Sequence, residues 1–233
     1  MNNFLNTPYF SAMITLIGYW IGVEVKKRFN HPLASPLIVG SVFVSVVLKT
    51  LQLDISNYQS NSYLISFFLN PATLCLAIIL YKQMDLFLSH KAAILIGTFA
   101  GVVVNVVLVV GLSLLFKLTE GQVISFIPKS VTVAIGLSIT ESFGGIAPIT
   151  MFAIIVTGVF GNLIAEHLLK LAKITDPVAR GIAIGSSAHI LGTSKALELG
   201  ETEGAMSGLS IVITGLMTLV VMILINPLLV SLF

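Results

Sequence analysis

From Ala92 to Phe116 the chain runs without one charged side chain. A helix that crosses the hydrocarbon core of a bilayer needs about 20 mostly apolar residues, and this run reaches that length. Tyr9–Val25, Leu33–Leu53, Tyr63–Leu80, Ile149–Leu171 and Ala205–Phe233 have the same character. Each is bounded by charge, proline or a polar loop. Soluble domains carry about 25% charged residues; here 56% of residues are hydrophobic and 9% are charged. A soluble chain of this length has no way to hide so much apolar surface, so lipid is its solvent. The predicted fold class is an all-α integral membrane protein with six full spans.

The same composition narrows the other classes. A net charge of +2 is too small to argue for nucleic acid. The single cysteine, Cys75, lies in an apolar run and reads as a small buried side chain. Met1 to Pro8 lacks the basic start of a secretion signal, and no small-residue cleavage site follows, so Tyr9–Val25 reads as the first span.

Two further stretches, Val123–Pro148 and Pro177–Gly204, are hydrophobic but unlike plain spans. Both are rich in Gly, Ser and Thr, and both carry ionisable residues. They also resemble each other. Ala134-Ile135-Gly136-Leu137-Ser138 matches Ala183-Ile184-Gly185-Ser186-Ser187 at an offset of 49 residues, and Ile155-Val156-Thr157-Gly158 matches Val212-Ile213-Thr214-Gly215 at an offset of 57. On that reading an insertion of about eight residues separates the two matches. Pro71-Ala72-Thr73 with Ala77-Ile78 gives a fainter echo of Pro128-Lys129-Ser130 with Ala134-Ile135. The expectation is a single domain over 1–233: a four-helix part, 1–120, followed by two units of odd stretch plus span over 121–233. If each odd stretch is a re-entrant hairpin, the two enter from opposite faces, the inverted-repeat plan of many secondary transporters. Broken helices crossing in mid-membrane are the alternative.

Charge favours hairpins. With the N-terminus outside, Lys26, Lys27, Arg28, Lys82, Lys91, Lys170, Lys173 and Arg180 all fall inside, and only Lys49, Lys117 and Lys129 lie toward the outside. Cytoplasmic loops carry the excess of Lys and Arg. A full span over Val123–Pro148 would send the Lys170–Arg180 cluster outside.

An ionisable group at the bilayer centre costs about 2.5–3.5 kcal/mol on insertion scales, so such groups are functional candidates. Here they are Lys129 and Glu141 in the first odd stretch, and His189, Lys195 and Glu198 in the second. The 49-residue match sets Thr140 opposite His189, which places Glu141 and His189 near two tips that meet. Broken helices expose N-termini with unpaired N–H groups and partial positive charge, which suits an anion. Gly144, Gly145, Gly192 and Thr193 would permit the turns, and Ser130, Thr132 and Thr193 would donate hydrogen bonds. Each candidate also has a plain structural reading. Lys129 can snorkel to the interface, Glu141 can pair with Lys129 or Lys195, and His189 can be a satisfied buried imidazole. Glu201 and Glu203 read as a solvated acidic rim, and Thr157-Gly158 and Thr214-Gly215 as sites of close helix packing.

Catalytic signatures are missing from the sequence. It has no His-Glu-x-x-His, no Gly-x-Ser-x-Gly and no phosphate-binding loop. Glu166-His167 sits at a helix end. Ser186, Ser187 and His189 lack a neighbouring acid to orient the imidazole. An enzyme is the least supported class, and no cofactor or metal is expected.

Across nearly its whole length the chain resembles the LrgB/CidB family of bacterial membrane proteins. The carrying segments are Asn70-Pro71-Ala72, Leu80-Tyr81-Lys82, Pro128-Lys129-Ser130-Val131-Thr132, Gly144-Gly145-Ile146, Arg180-Gly181, His189, Gly192-Thr193, and the run from Ala196 to Ala205. Ala134 stands where the family usually has proline, and Ile190 where a small residue often follows the histidine. The resemblance implies the bacterial cytoplasmic (inner) membrane and two functional stories. One is a holin-like or anti-holin-like protein that modulates murein hydrolase activity and lysis with an LrgA/CidA-type partner. The other is transport of a small monocarboxylate such as pyruvate, glycolate or glycerate, since the plastid glycolate/glycerate translocator contains an LrgB-like half. Costly charge at two breaks favours transport by alternating access, with a homo-oligomer expected. The expected binding set is Asn70, Lys129, Ser130, Thr132, Glu141, Gly144, Gly145, His189, Gly192, Thr193 and Glu198.

Overall fold

In the computed structural model, residues 2–29, 34–68, 71, 74–75, 78 and 81–233 are described. The described part is all helical and falls into two compact units, 1–72 and 73–233.

In the first unit, α1 (Asn2–Leu5) leads into α2 (Pro8–Arg28). The Thr7 hydroxyl accepts from Phe10 N, and Pro8 supplies the fixed φ of a first helical turn. α2 packs antiparallel to α3 (Pro36–Thr50), with Phe10 and Ile14 against Leu48 at one end and Gly18 against Gly40 farther along. α4 (Ile55–Asn61) and α5 (Tyr63–Ser66) follow, and the Tyr58 hydroxyl meets that of Thr15 at 2.6 Å. α3 has 15 residues, shorter than the expected Leu33–Leu53 span, because the chain turns at Leu51 and Gln52. The expected Tyr63–Leu80 span is helical from Tyr63 to Ser66, then turns at Phe67 and Phe68; much of the remainder lies outside the described residues. Cys75 is exposed rather than buried. In lipid an apolar segment need not face a protein core.

The second unit holds the three described helices long and apolar enough to cross a membrane: α6 (Met84–Phe116), α9 (Ala147–Leu171) and α11 (Glu201–Leu232). At 1.5 Å per residue, each exceeds a hydrocarbon core of about 30 Å. Val104, Val107, Leu115, Phe116, Phe152, Phe160, Leu171 and Leu224 are exposed on them. Such a surface is stable against acyl chains and not against water. Between these helices lie α7 (Glu120–Phe126), a 3-10 turn (Ile127–Ser130), α8 (Val133–Phe143) and α10 (Pro177–Leu199).

Both odd stretches are hairpins. In the first, α7 and α8 run antiparallel. At their base Gly121 lies against the Gly144 carbonyl, and one turn deeper the Thr150 hydroxyl donates to Ser125 O at 3.0 Å and meets the Thr140 hydroxyl at 2.7 Å. Deeper still, Gly136 lies beside Val131 and Pro128 O. In the second, α10 is broken at His189, and residues 177–188 and 190–199 fold back on each other. Gly185 and Thr193, on opposite arms, both face Ser207, while Gly181 and Leu197 face Glu203 and Gly204.

The hairpins approach from opposite ends of the spans. Along α9, Thr150 meets the first hairpin, while Asn162, Ala165 and Glu166 meet the second. Along α11, Met206 and Leu209 pack with the second hairpin and Met222 and Leu229 with the first. α6 contributes Ile94 to the second hairpin's core and Val109 to the first.

Candidate functional site

The two tips meet at mid-length of α9. The first break is local chemistry. The 3-10 turn ends at Ser130, Val131 and Thr132 are extended, and the Thr132 hydroxyl accepts from Ile135 N at 3.4 Å to start α8. A threonine cap thus sets the break two residues ahead of Ala134, and no proline is needed there. Lys129, half-buried, donates from Nζ to Ser130 Oγ at 3.4 Å; Ser130 and Thr132 are buried.

The second break is His189 itself, at φ 42° and ψ −141°. That backbone is rarely adopted by a side-chain-bearing residue and costs about 1–3 kcal/mol. The surroundings hold it. The ring is 4% exposed, and Nε2–H donates to Ile154 O at 2.8 Å. The same Ile154 reaches the first hairpin, because its Cδ1 lies against Gly136. Gly158, one turn along α9, leaves room for the imidazole: a Cβ there would stand 2.7 Å from Nε2. Thr193 donates to His189 O at 3.0 Å and meets Ser207 Oγ at 2.7 Å.

The structure therefore gathers Lys129, Ser130 and Thr132 at one tip, and His189, Gly192 and Thr193 at or just past the other. It moves the rest. Glu141 is exposed near the base of the first hairpin, about ten residues from the break. Gly144, at φ 82°, ends α8, and Gly145 follows at the corner into α9, so neither makes a tip. Glu198 sits at the base of the second hairpin with Lys195, which also pairs with Glu166 at 2.9 Å. Among the described residues Lys129 and Glu141 form no ion pair, so the expected pairing of Glu141 with Lys129 or Lys195 is not made. Asn70 lies outside the described residues. Glu203, expected on a solvated rim, is buried against Arg180 at 3.7 Å, because the base of the second hairpin covers the first turn of α11.

The 49-residue match is corrected as well. Ala134–Ser138 lies in the returning arm of the first hairpin and Ala183–Ser187 in the entering arm of the second, so they are not equivalent. The 57-residue offset holds instead and sets Thr132 opposite His189, break to break.

Two side chains at this depth escaped the sequence reading. Asn105 of α6 donates from Nδ2 to Ile127 O at 2.7 Å, and its Oδ1 is buried without a partner. Asn162 of α9 donates to Leu191 O at 2.6 Å and to Ser194 Oγ at 3.0 Å. The signal was an amide inside an apolar run. A cavity of about 260 Å³ lies between α6 and the second hairpin, lined by Ala93, Gly97, Ile182, Ala183 and Ser186, with Asp176 at its outer end.

A family model described as the LrgB-like family matches residues 15–228, nearly the whole chain. No solved structure matches it.

Proposed function

We propose, from the premise that the chain belongs to the LrgB-like family, that it is a transporter of a small monocarboxylate and not an enzyme. One observation carries this reading: two re-entrant hairpins from opposite ends of the spans bring their tips together on α9. The carboxylate binds between the tips, on the N–H groups that start α8 and the returning arm of α10. Lys129 supplies charge, Ser130, Thr132 and Thr193 supply hydroxyls, and His189 carries a coupled proton. The cavity beside the second hairpin is the approach from that end, and the shift of one hairpin against the spans moves access to the other. Lys170, Lys173 and Arg180 cluster at the base of the second hairpin. By charge bias that end faces the cytoplasm, in the bacterial inner membrane, with the N-terminus outside. A homo-oligomer and an LrgA/CidA-type partner complete the proposal.

The test is uptake of radiolabelled pyruvate, glycolate and glycerate into proteoliposomes, with and without a pH gradient. Saturable uptake lost in Lys129→Ala or His189→Ala supports the reading. Leakage of unrelated dyes without saturable uptake overturns it in favour of a holin-like pore, and normal uptake by both variants removes the site.

A further inference from the structure

Asn105 and Asn162 stand 57 residues apart, each four residues after a glycine, Gly101 and Gly158. Gly215 continues the series at the same spacing, and so do the pairs Pro71 with Pro128 and Ala77 with Ala134. This spacing carries α6 onto α9 and α9 onto α11, so the repeat runs through three spans. Each of the three glycines faces a hairpin. Gly101 faces Ser186 and Gly158 faces His189, both near the second tip, while Gly215 faces Ile135 beside the first.

Each of the two amides bonds to the backbone of a different hairpin. Asn105 donates to the carbonyl of Ile127, in the entering arm of the first hairpin, and Asn162 to the carbonyl of Leu191, in the returning arm of the second. Each is a polar link from a span to a hairpin arm beside it. A buried amide is costly unless it is bonded. Its bond gives a hairpin a fixed seat on an otherwise slippery apolar helix.

We infer that Asn105 and Asn162 are positioning residues, one latch per hairpin, and that each closes the tips toward its own end of the unit. Asn105 seats the first hairpin and shuts the end where α7 begins. Asn162 seats the second and closes the tips toward the end where α10 begins, above the cavity that opens there. This rests on the alternating-access reading, but its test needs no substrate.

The experiment uses the full chain with Cys75→Ser and a reporter Val131→Cys, which is fully buried at the first break. Sealed vesicles of either orientation are treated with a membrane-impermeant maleimide. Asn105→Leu should raise labelling from the first hairpin's end, and Asn162→Leu from the second's, each roughly three- to tenfold, as expected for loss of one intramembrane hydrogen bond. The Asn→Gln variants, which keep an amide donor, should stay closer to the parent. If leucine prevents insertion, Asn→Thr replaces it, since that side chain is too short for the carbonyl. Equal changes at both ends, or none, overturn the latch. Sided labelling without carboxylate uptake keeps the latch and removes the substrate assignment; normal uptake without sided labelling does the reverse.

Discussion

At the scale of the residue, the second tip is a strained histidine under load from one carbonyl. His189→Ala removes the bond to Ile154 O and keeps the strained backbone; His189→Gly removes the bond and relieves the strain. In detergent, His189→Gly should therefore melt above His189→Ala, and the wild type above both if the bond outweighs the strain. Gly158→Ala places a methyl on the imidazole. It should insert normally yet lose uptake by roughly tenfold to a hundredfold, since small misplacements at a site are costly. Sequence pointed to Lys129, Ser130, Thr132 and His189 because polar groups at membrane depth are rare. It set Glu141 near a tip, and the structure puts it near a base, because composition places a residue in a stretch and not at a depth. Only the fold of each arm gives the depth.

At the scale of the element, each hairpin is tied to the spans near its base and again near its tip. Thr150 binds both arms of the first hairpin at once, through Ser125 O and the Thr140 hydroxyl. Thr150→Val keeps the shape and loses both bonds. It should lower stability by about 1–2 kcal/mol, read as a drop in melting temperature in detergent. The hairpins themselves were legible in Gly- and Ser-rich composition and in the charge bias. Their internal register was not. The sequence Ala-Ile-Gly with a serine two residues on suits either arm of a tight helical pair, so a local match aligned a returning arm with an entering one. Asn105 and Asn162 stayed hidden because a lone amide in a span has no partner in the linear sequence.

At the scale of the whole molecule, the second unit is ordered by which end each element enters from. A cysteine replacing Glu201 should label from the cytoplasmic side of sealed cells' membranes, and one replacing Glu120 from the outside, in a Cys75→Ser background. Labelling of both from one side would contradict the hairpin topology. Spans were legible from length and hydropathy in α6, α9 and α11. They were less so in the first unit, where α3 is short and α5 stops after one turn. α9 touches one hairpin at Thr150, both near Ile154, and the other at Asn162. It therefore acts as a ruler with marks on fixed faces. Deleting a single residue between those marks would turn one half against the other by about 100° and shorten it by about 1.5 Å. Homologous chains should thus tolerate substitution at the lipid-facing positions there but never a gap, and length variation should collect at the corners near Leu118 and Lys173.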